Sequence, residues 1–202
     1  MSSRLHRIAS QIKPRLIIII LLLMGGAFLV YLTDGREGKP ANAQSETAMQ
    51  TGLKNFVVQS PKREIPEIVF QLNGEKQVGL EAFRGEVLVL NLWATWCAPC
   101  RKEMPQLDAL QAHFSGQNVR VIALSLDRGN GDKPKQFLQE LGVRHLTWAH
   151  DGSYKSARQL GLIGLPTTLL IDVDGKEIGR LAGEADWNSA AVHELVEQAL
   201  ID

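Results

Sequence analysis

Cys97 and Cys100 are the only cysteines in this chain of 202 residues, and two residues separate them. The apolar run before them, residues 87–92, predicts a buried strand, and the residues after Cys97 predict the start of a helix. Free N–H groups and the helix dipole at such a start favour a thiolate, so Cys97 is the expected attacking group. Cys100 lies one turn further and can close a disulfide. The spacing therefore predicts dithiol–disulfide exchange.

Two other uses of the cysteines compete with exchange. A purely structural disulfide would close a very small loop and gain little from chain entropy. A zinc site would need two more ligands, and the sequence has neither a second cysteine pair nor a closely spaced histidine pair. Redox chemistry is thus the favoured interpretation, and we expect no metal and no cofactor.

An apolar segment near the N-terminus predicts attachment to a membrane. Residues 16–32 carry no charge, and as a helix they would rise about 26 Å, the lower limit for crossing a bilayer core. Residues 1–15 contain four basic residues and no acidic ones, which favours a cytoplasmic location for them and export of the rest. A small-x-small cleavage pattern at residues 41–43 lies far from the apolar run, so residues 16–32 are predicted to be an uncleaved transmembrane signal-anchor.

The rest of the chain divides into a tether and a domain. Lysine and arginine balance aspartate and glutamate at 22 each, which gives no general attraction to nucleic acid. Residues 33–62 are rich in Gly, Pro, Ser and charged residues and predict a linker, in which Leu53 and residues 56–58 could form a short helix. The domain is predicted to span residues 63–202.

Alternating strand and helix patterns run through this domain. They predict, in order, a hairpin over 67–79 turning at Asn73-Gly74, a helical turn at 80–83, strand 87–92, a helix after Cys97, strand 119–126, a loop at 127–134, helix 135–141, strand 146–149, helix 154–160, a hairpin of strands 168–172 and 177–182, and a last helix capped by Asp186. An α/β fold with a mixed sheet follows.

The stretch NLWATWCAPCRKEMPQLDALQ, residues 91–111, resembles the thioredoxin superfamily. It is most similar to a membrane-anchored bacterial branch, the thiol–disulfide interchange proteins of the TlpA, ResA and CcmG type, and closest to TlpA; the likeness continues through residues 132–135 and 183–187. This resemblance implies a thioredoxin-like fold with a central αβ insertion at about residues 132–150, an N-terminal β-hairpin and one preceding transmembrane helix. It also implies the bacterial inner membrane, with the domain in the periplasm.

The resemblance also implies roles for residues outside the cysteine pair. Leu165-Pro166-Thr167 matches the superfamily's cis-proline loop, which faces the cysteines and pairs with a substrate strand. Pro166 is therefore expected in the catalytic site, and both Leu165 and Pro166 in substrate binding. Trp96 is expected to shield Cys97 and to contact partners.

Glu103 matches the position of an active-site glutamate in ResA-type proteins. A buried carboxyl with a raised pKa could exchange a proton with a nearby thiol, whereas the alternative is a solvated glutamate in the first helical turn. Asn91 occupies the place of a buried aspartate in thioredoxin. Since asparagine cannot carry a proton at neutral pH, Glu103 becomes the nearest candidate for acid–base chemistry.

By resemblance the chain is a periplasmic thiol–disulfide oxidoreductase and a reductant in cytochrome biogenesis. Its expected substrates are proteins with cysteine pairs, namely apocytochrome c or the proteins that assemble the copper site of cytochrome oxidase. The expected electron donor is a membrane protein of the DsbD or CcdA kind. A disulfide-forming oxidase, a Cu(I)-binding protein that uses both thiolates, and a thiol peroxidase are the alternatives. A second cysteine pair described in TlpA has no counterpart here.

Overall fold

The computed structural model describes residue 53 and residues 55–201, and within them eight strands form one mixed sheet. The strands are β1 (Phe56–Glu64), β2 (Val69–Leu72), β3 (Lys76–Gly79), β4 (Val87–Trp93), β5 (Val119–Ser125), β6 (Thr147–His150), β7 (Thr167–Ile171) and β8 (Lys176–Ala182). The helices are α1 (Ala98–His113), α2 (Asp132–Glu140), α3 (Lys155–Gln159) and α4 (Ala190–Ile201), with a 3-10 turn at Leu80–Phe83.

Strand β4 lies at the centre of the sheet, whose order is β1-β8-β7-β4-β5-β6-β2-β3. It runs parallel to β5 and antiparallel to β7, and all seven of its residues are buried. Alternate side chains enter two hydrophobic cores, one packed with α1 and α4 and the other with α3 and the 3-10 turn. The continuous apolar run is thus explained by helices covering both faces of the strand.

The predicted central insertion consists of α2 and β6. Strand β6 extends the sheet parallel to β5, and β2 of the N-terminal hairpin pairs antiparallel with β6. The hairpin turns through Asn73 and Gly74, both with positive φ, as an Asn-Gly turn requires. Helix α2 begins at Asp132, three residues earlier than predicted, because Pro134 is accommodated in its first turn.

Strand β1 corrects the predicted domain boundary. Residues 56–62 were predicted as linker and residues 56–58 as a short helix, but all of them belong to β1, which pairs antiparallel with β8. The register breaks between Val58 and Arg63, and Pro61 lies in that break. This interruption removes the alternation that would have revealed a strand in the sequence. The domain therefore includes Phe56.

The start of the last helix also differs from the prediction. Asp186 accepts a hydrogen bond from the backbone N–H of Asn188, in a turn that precedes the helix. Helix α4 itself begins at Ala190. Asp186 consequently stabilises the approach to the helix and does not cap it.

No helix in residues 55–201 is both long and apolar enough to cross a membrane. The predicted signal-anchor at residues 16–32 and the basic segment at residues 1–15 lie outside the described residues.

Candidate active site

The two cysteines lie at the junction between the end of β4 and the start of α1. The N–H of Cys97 donates to the carbonyl of Ala94 at 3.0 Å, which closes the turn after the strand. Cys97 is the N-cap of α1, and its Sγ accepts from the N–H of Cys100 at 3.4 Å. Pro99 fits this first turn because a proline there loses no helical hydrogen bond.

Cys97 and Cys100 form a disulfide with a Cα–Cα distance of 5.3 Å. Cys97 is 6% exposed and Cys100 is 0% exposed. An incoming thiolate can therefore reach only the Cys97 sulfur without opening the fold. The predicted division between an outer and an inner cysteine is reproduced.

A buried pair, Thr95 and Asp127, holds the turn that leads into Cys97. The Asp127 carboxylate accepts from the Thr95 N–H at 2.8 Å, from Thr95 Oγ1 at 2.6 Å and from Ser125 Oγ at 2.9 Å. Neither residue was predicted to belong to the site. The sequence contains a feature that could have predicted this contact. Thr95 follows β4 and Asp127 follows β5, and polar residues that follow adjacent parallel strands meet at the same end of a sheet.

Pro166 follows a cis peptide bond from Leu165, the geometry that the resemblance implied. Thr167, the first residue of β7, lies opposite Leu92 near the end of β4. Because β4 continues into the cysteine turn, the start of β7 brings the proline loop to the same edge of the sheet. Pro166 is buried and Leu165 half-buried. Their roles in catalysis and substrate binding remain predictions.

Glu103 is buried in α1, only 2% exposed, so the alternative of a solvated first-turn glutamate is wrong. Its Oε1 accepts from the backbone N–H of Ala185 and from Trp187 Nε1, each at 2.8 Å. Its Oε2 is buried without a hydrogen-bond partner among the described residues. The indole of Trp187 comes from the segment before α4, and its part in the site was not predicted.

Burial raises the pKa of Glu103 from 4.5 to about 7. Hydrogen bonds from Ala185 and Trp187 and the polar side chain of Asn91 oppose this rise, and the negative charge of Glu184 adds to it. Near neutral pH the carboxyl can therefore both hold and release a proton. Glu103 stands three residues after Cys100 on the same face of α1, a spacing that directs both side chains to one side of the helix.

Asn91 is wholly buried in β4, and its amide nitrogen donates to Thr168 Oγ1 at 2.9 Å. Its Oδ1 has no donor among the described residues, like Oε2 of Glu103. A proton on Glu103 would turn one of these two orphaned acceptors into a donor. Oε2 of Glu103 is thus a buried acceptor without a donor when the carboxyl is charged, in keeping with the raised pKa.

Trp96 is 62% exposed and lies between two surface cavities. One cavity, of about 420 Å³, is mostly apolar and includes Leu126, Leu162, Ile163 and Leu165 in its wall. The other, of about 840 Å³, is lined by charged residues as well. This placement puts the indole on the surface beside Cys97, although its contact with partners remains a prediction.

The Redoxin family model matches residues 60–198. The chain belongs to the Redoxin family. It is 35% identical over 176 residues to the thiol-disulfide oxidoreductase ResA of Bacillus cereus, covering 85% of this chain and 90% of ResA. It is 32% identical over 172 residues to the thiol:disulfide interchange protein DsbE of Yersinia pestis, covering 83% and 81%. A crystal structure described as DsbE from Chlorobium tepidum superposes with a TM-score of 0.62 at 30% identity, covering 69% of this chain and 96% of that one.

These comparisons confirm the family, the thioredoxin-like fold and the enzyme class. This Redoxin-family member is a thiol–disulfide oxidoreductase whose redox pair is Cys97 and Cys100, joined as a disulfide in the structure. The relatives compared are of the ResA and DsbE kind, and the closer assignment to TlpA stays a prediction.

Proposed function

We propose that this Redoxin-family enzyme is a reductant of cysteine pairs in exported proteins that take part in cytochrome biogenesis. The buried carboxyl of Glu103, which lies three residues after the inner cysteine in α1, is the observation that carries the proposed direction. A protein dithiol is a strong oxidant when its reduced form is stabilised, as thiolate stabilisation achieves. The Glu103 carboxyl ionises near pH 7 in a buried site, and its negative charge disfavours the formation of a thiolate at Cys100. A reduced form with little thiolate stabilisation favours electron donation.

The exchange itself proceeds in two steps. The Cys97 thiolate attacks one sulfur of the substrate disulfide, forms a mixed disulfide and releases the other substrate sulfur as a thiolate. Cys100 then loses its proton to Glu103, and its thiolate attacks the Cys97 sulfur. The protein disulfide forms as the bond between Cys97 and the substrate breaks, and the second substrate sulfur leaves as a thiolate. The reduced substrate, which has gained two electrons, takes up protons from water. Glu103 thus serves as proton acceptor for the buried thiol.

The cytochrome substrates are proposed from the likeness to ResA and DsbE and from the resemblance of residues 91–111, 132–135 and 183–187 to TlpA. Apocytochrome c and the proteins that assemble the copper site of cytochrome oxidase both present cysteine pairs. To identify the substrate, a full-length Cys100→Ser variant would be expressed and its mixed disulfides isolated from periplasmic extracts. We expect Cys97 to retain a cysteine-pair protein of cytochrome assembly, whereas a Cys97→Ser control should retain none. Failure to trap any protein would contradict the exchange proposal.

The direction of electron flow can be measured through equilibrium with glutathione. A reductant should have a potential well below the value of about −120 mV typical of a strong disulfide-forming oxidase. A potential near that value would overturn the reductase proposal in favour of an oxidase. Stoichiometric Cu(I) retention without exchange activity would instead support the copper-binding alternative.

We further propose that residues 16–32 anchor the enzyme in the inner membrane with its domain in the periplasm. The uncharged run and the basic residues before it support this topology. A donor of the DsbD or CcdA kind would then return two electrons to the Cys97–Cys100 disulfide. Fractionation should find the full chain in membranes after alkaline extraction, and a chain without residues 1–32 should not be found there. Release of the full chain by alkali would refute the anchor.

A further inference from the structure

The larger cavity beside Trp96 has a charge pattern that exchange chemistry alone does not explain. Its volume is about 840 Å³, and it opens next to the indole that follows the cysteine turn. Its wall comes from the loop after β5, the first turn of α2, and the segment from β6 into α3. The residues lining it, besides Trp96, are Asp127, Arg128, Lys133, Gly152, Ser153, Tyr154 and Arg158.

Three cationic side chains line this cavity, here called the cationic cavity: Arg128, Lys133 and Arg158. Within residues 55–201, Arg128 and Arg158 have no carboxylate within 4.0 Å, and the nearest one to Lys133 Nζ is Asp127 Oδ1 at 4.0 Å. Lys133 is 71% exposed. These charges are therefore available to a group that enters from outside.

The carboxylates nearest the cavity are already engaged by the protein. Asp127 is 3% exposed, and both of its oxygens accept hydrogen bonds from Thr95 and Ser125. Asp151 precedes Gly152 in the chain. Burial raises the pKa of its carboxyl, but hydrogen bonds from Ser153 and from the N–H of Ser156 outweigh this effect and lower it overall. Asp127 and Asp151 offset part of the positive charge, and the three exposed cations leave a formal excess of one positive charge, three against two.

The positive charge of the cavity contrasts with the charge of the domain. Residues 55–201 contain 15 lysines and arginines against 18 aspartates and glutamates, a net charge of −3. A cationic cavity on an acidic domain concentrates positive potential at one place, next to the reactive cysteine. Such a potential attracts anionic partners and disfavours cationic ones.

The apolar cavity adjoins the cationic one, because Trp96, Tyr154 and Arg158 line both. Ile163, at its far side, is 94% exposed. A polypeptide whose disulfide meets Cys97 would therefore pass an apolar surface on one side and a cationic surface on the other. One occupant fits both: an extended, disulfide-bearing segment of a substrate protein.

We infer that the cationic cavity binds carboxylate side chains of the substrate protein, a few residues from the disulfide being reduced. This inference rests on the proposed reductase function and adds a substrate class, cystine segments flanked by Asp or Glu. Arg128, Lys133 and Arg158 are the specificity-determining residues. One of these residues, Lys133, comes from α2, which belongs to the insertion within the thioredoxin-like fold.

The test uses two peptides that each contain one disulfide and differ only in their flank, three glutamates in one and three glutamines in the other. The pre-reduced full-length enzyme in detergent is mixed with each peptide, and the second-order rate of Cys97–Cys100 oxidation is measured by stopped flow. At about 20 mM ionic strength we expect the Glu peptide to react about tenfold faster than the Gln peptide. Raising the salt to about 300 mM should reduce this ratio below twofold, because the charges are exposed.

The double variant Arg128→Gln/Lys133→Gln should lower the Glu-to-Gln rate ratio from about tenfold to below twofold at low salt. A matched control, Lys76→Gln/Arg144→Gln, removes two exposed cations that line neither cavity and should keep the wild-type ratio. A ratio that survives in the cavity variant contradicts the inference. A wild-type ratio near one also contradicts it. If neither peptide oxidises the enzyme, the proposed function itself fails.

Discussion

Oε1 of Glu103 accepts a hydrogen bond from the indole Nε1 of Trp187 at 2.8 Å, and both side chains are buried. The two residues are 84 positions apart in the chain. The bond connects the helix that carries the cysteines to the segment before α4. Burial raises the pKa of Glu103, and this bond, together with the bond from the Ala185 N–H, stabilises the charged carboxylate and limits the rise.

The ionisation of Glu103 should make folding stability depend on pH. Between 4.5 and about 7 the folded protein keeps a proton that the unfolded chain has lost, so stability falls as pH rises through this window and is constant above it. The shift corresponds to about 3 kcal/mol. Urea unfolding of the oxidised protein from pH 4 to 8 should show this loss relative to Glu103→Gln, which lacks the titrating group. Parallel pH profiles in the two proteins would contradict the raised pKa.

Replacing Trp187 with phenylalanine should raise the pKa of Glu103 further, because the carboxylate loses an N–H donor. We expect an upward shift of about one pH unit in the midpoint of the second exchange step, measured as release from a mixed disulfide with Cys97.

A second buried tryptophan offers a matched control for this change. Trp93 is also inaccessible, but its Nε1 has no hydrogen-bond partner among the described residues. Trp93→Phe should leave the midpoint where it is, although both variants lose packing. Equal midpoints in Trp187→Phe and the wild type would show that the indole does not control Glu103.

Asp127→Asn should weaken the turn that presents Cys97. The wild-type carboxylate accepts three hydrogen bonds from Thr95 and Ser125, whereas an amide replaces one oxygen by a donor that faces other donors. We expect the free energy of unfolding to fall by about 1–3 kcal/mol in urea titrations. Exposed Asp132→Asn is the control and should change it by less than about 0.5 kcal/mol. Equal stabilities for the two variants would rule out a structural role for the Asp127 bonds.

Trp96→Ala should affect recognition far more than stability. Because the indole is 62% exposed, its loss should change the free energy of unfolding by less than about 0.5 kcal/mol. As a surface aromatic beside the reactive sulfur, it should nevertheless contribute to binding, and its loss should raise KM for a protein disulfide about tenfold. Reduction of oxidised glutathione should be nearly unaffected. Val69→Ala, at a 48% exposed residue of β2, is the control and should leave KM unchanged. An unchanged KM in Trp96→Ala would show that the indole is not part of the binding surface.

The parts of the fold that depend on short stretches of sequence could be predicted from the order of apolar, polar and turn-forming residues. The apolar run of β4 and the cysteines beyond it lie within 14 residues of sequence, and strand, turn and helix each leave a local signature there. The hairpin at Asn73 and Gly74 is equally local. Strand β1 was missed for the opposite reason, since Pro61 interrupts its pattern and its pairing partner β8 lies more than a hundred residues away.

The amino-acid sequence by itself determined the redox pair, the order of the main elements and the family, because each depends on residue type and short spacing. Only the tertiary structure decided that Glu103 is buried and that Trp187 and Ala185 contact its carboxylate. It also brought Arg128, Lys133 and Arg158 together around one cavity beside Trp96. The pKa of an acid depends on desolvation and on donors that distant segments supply, and a cavity's charge depends on which loops meet. Neither the pKa of Glu103 nor the charge of the cavity follows from neighbouring residues in the sequence, so both depend on how the domain is packed.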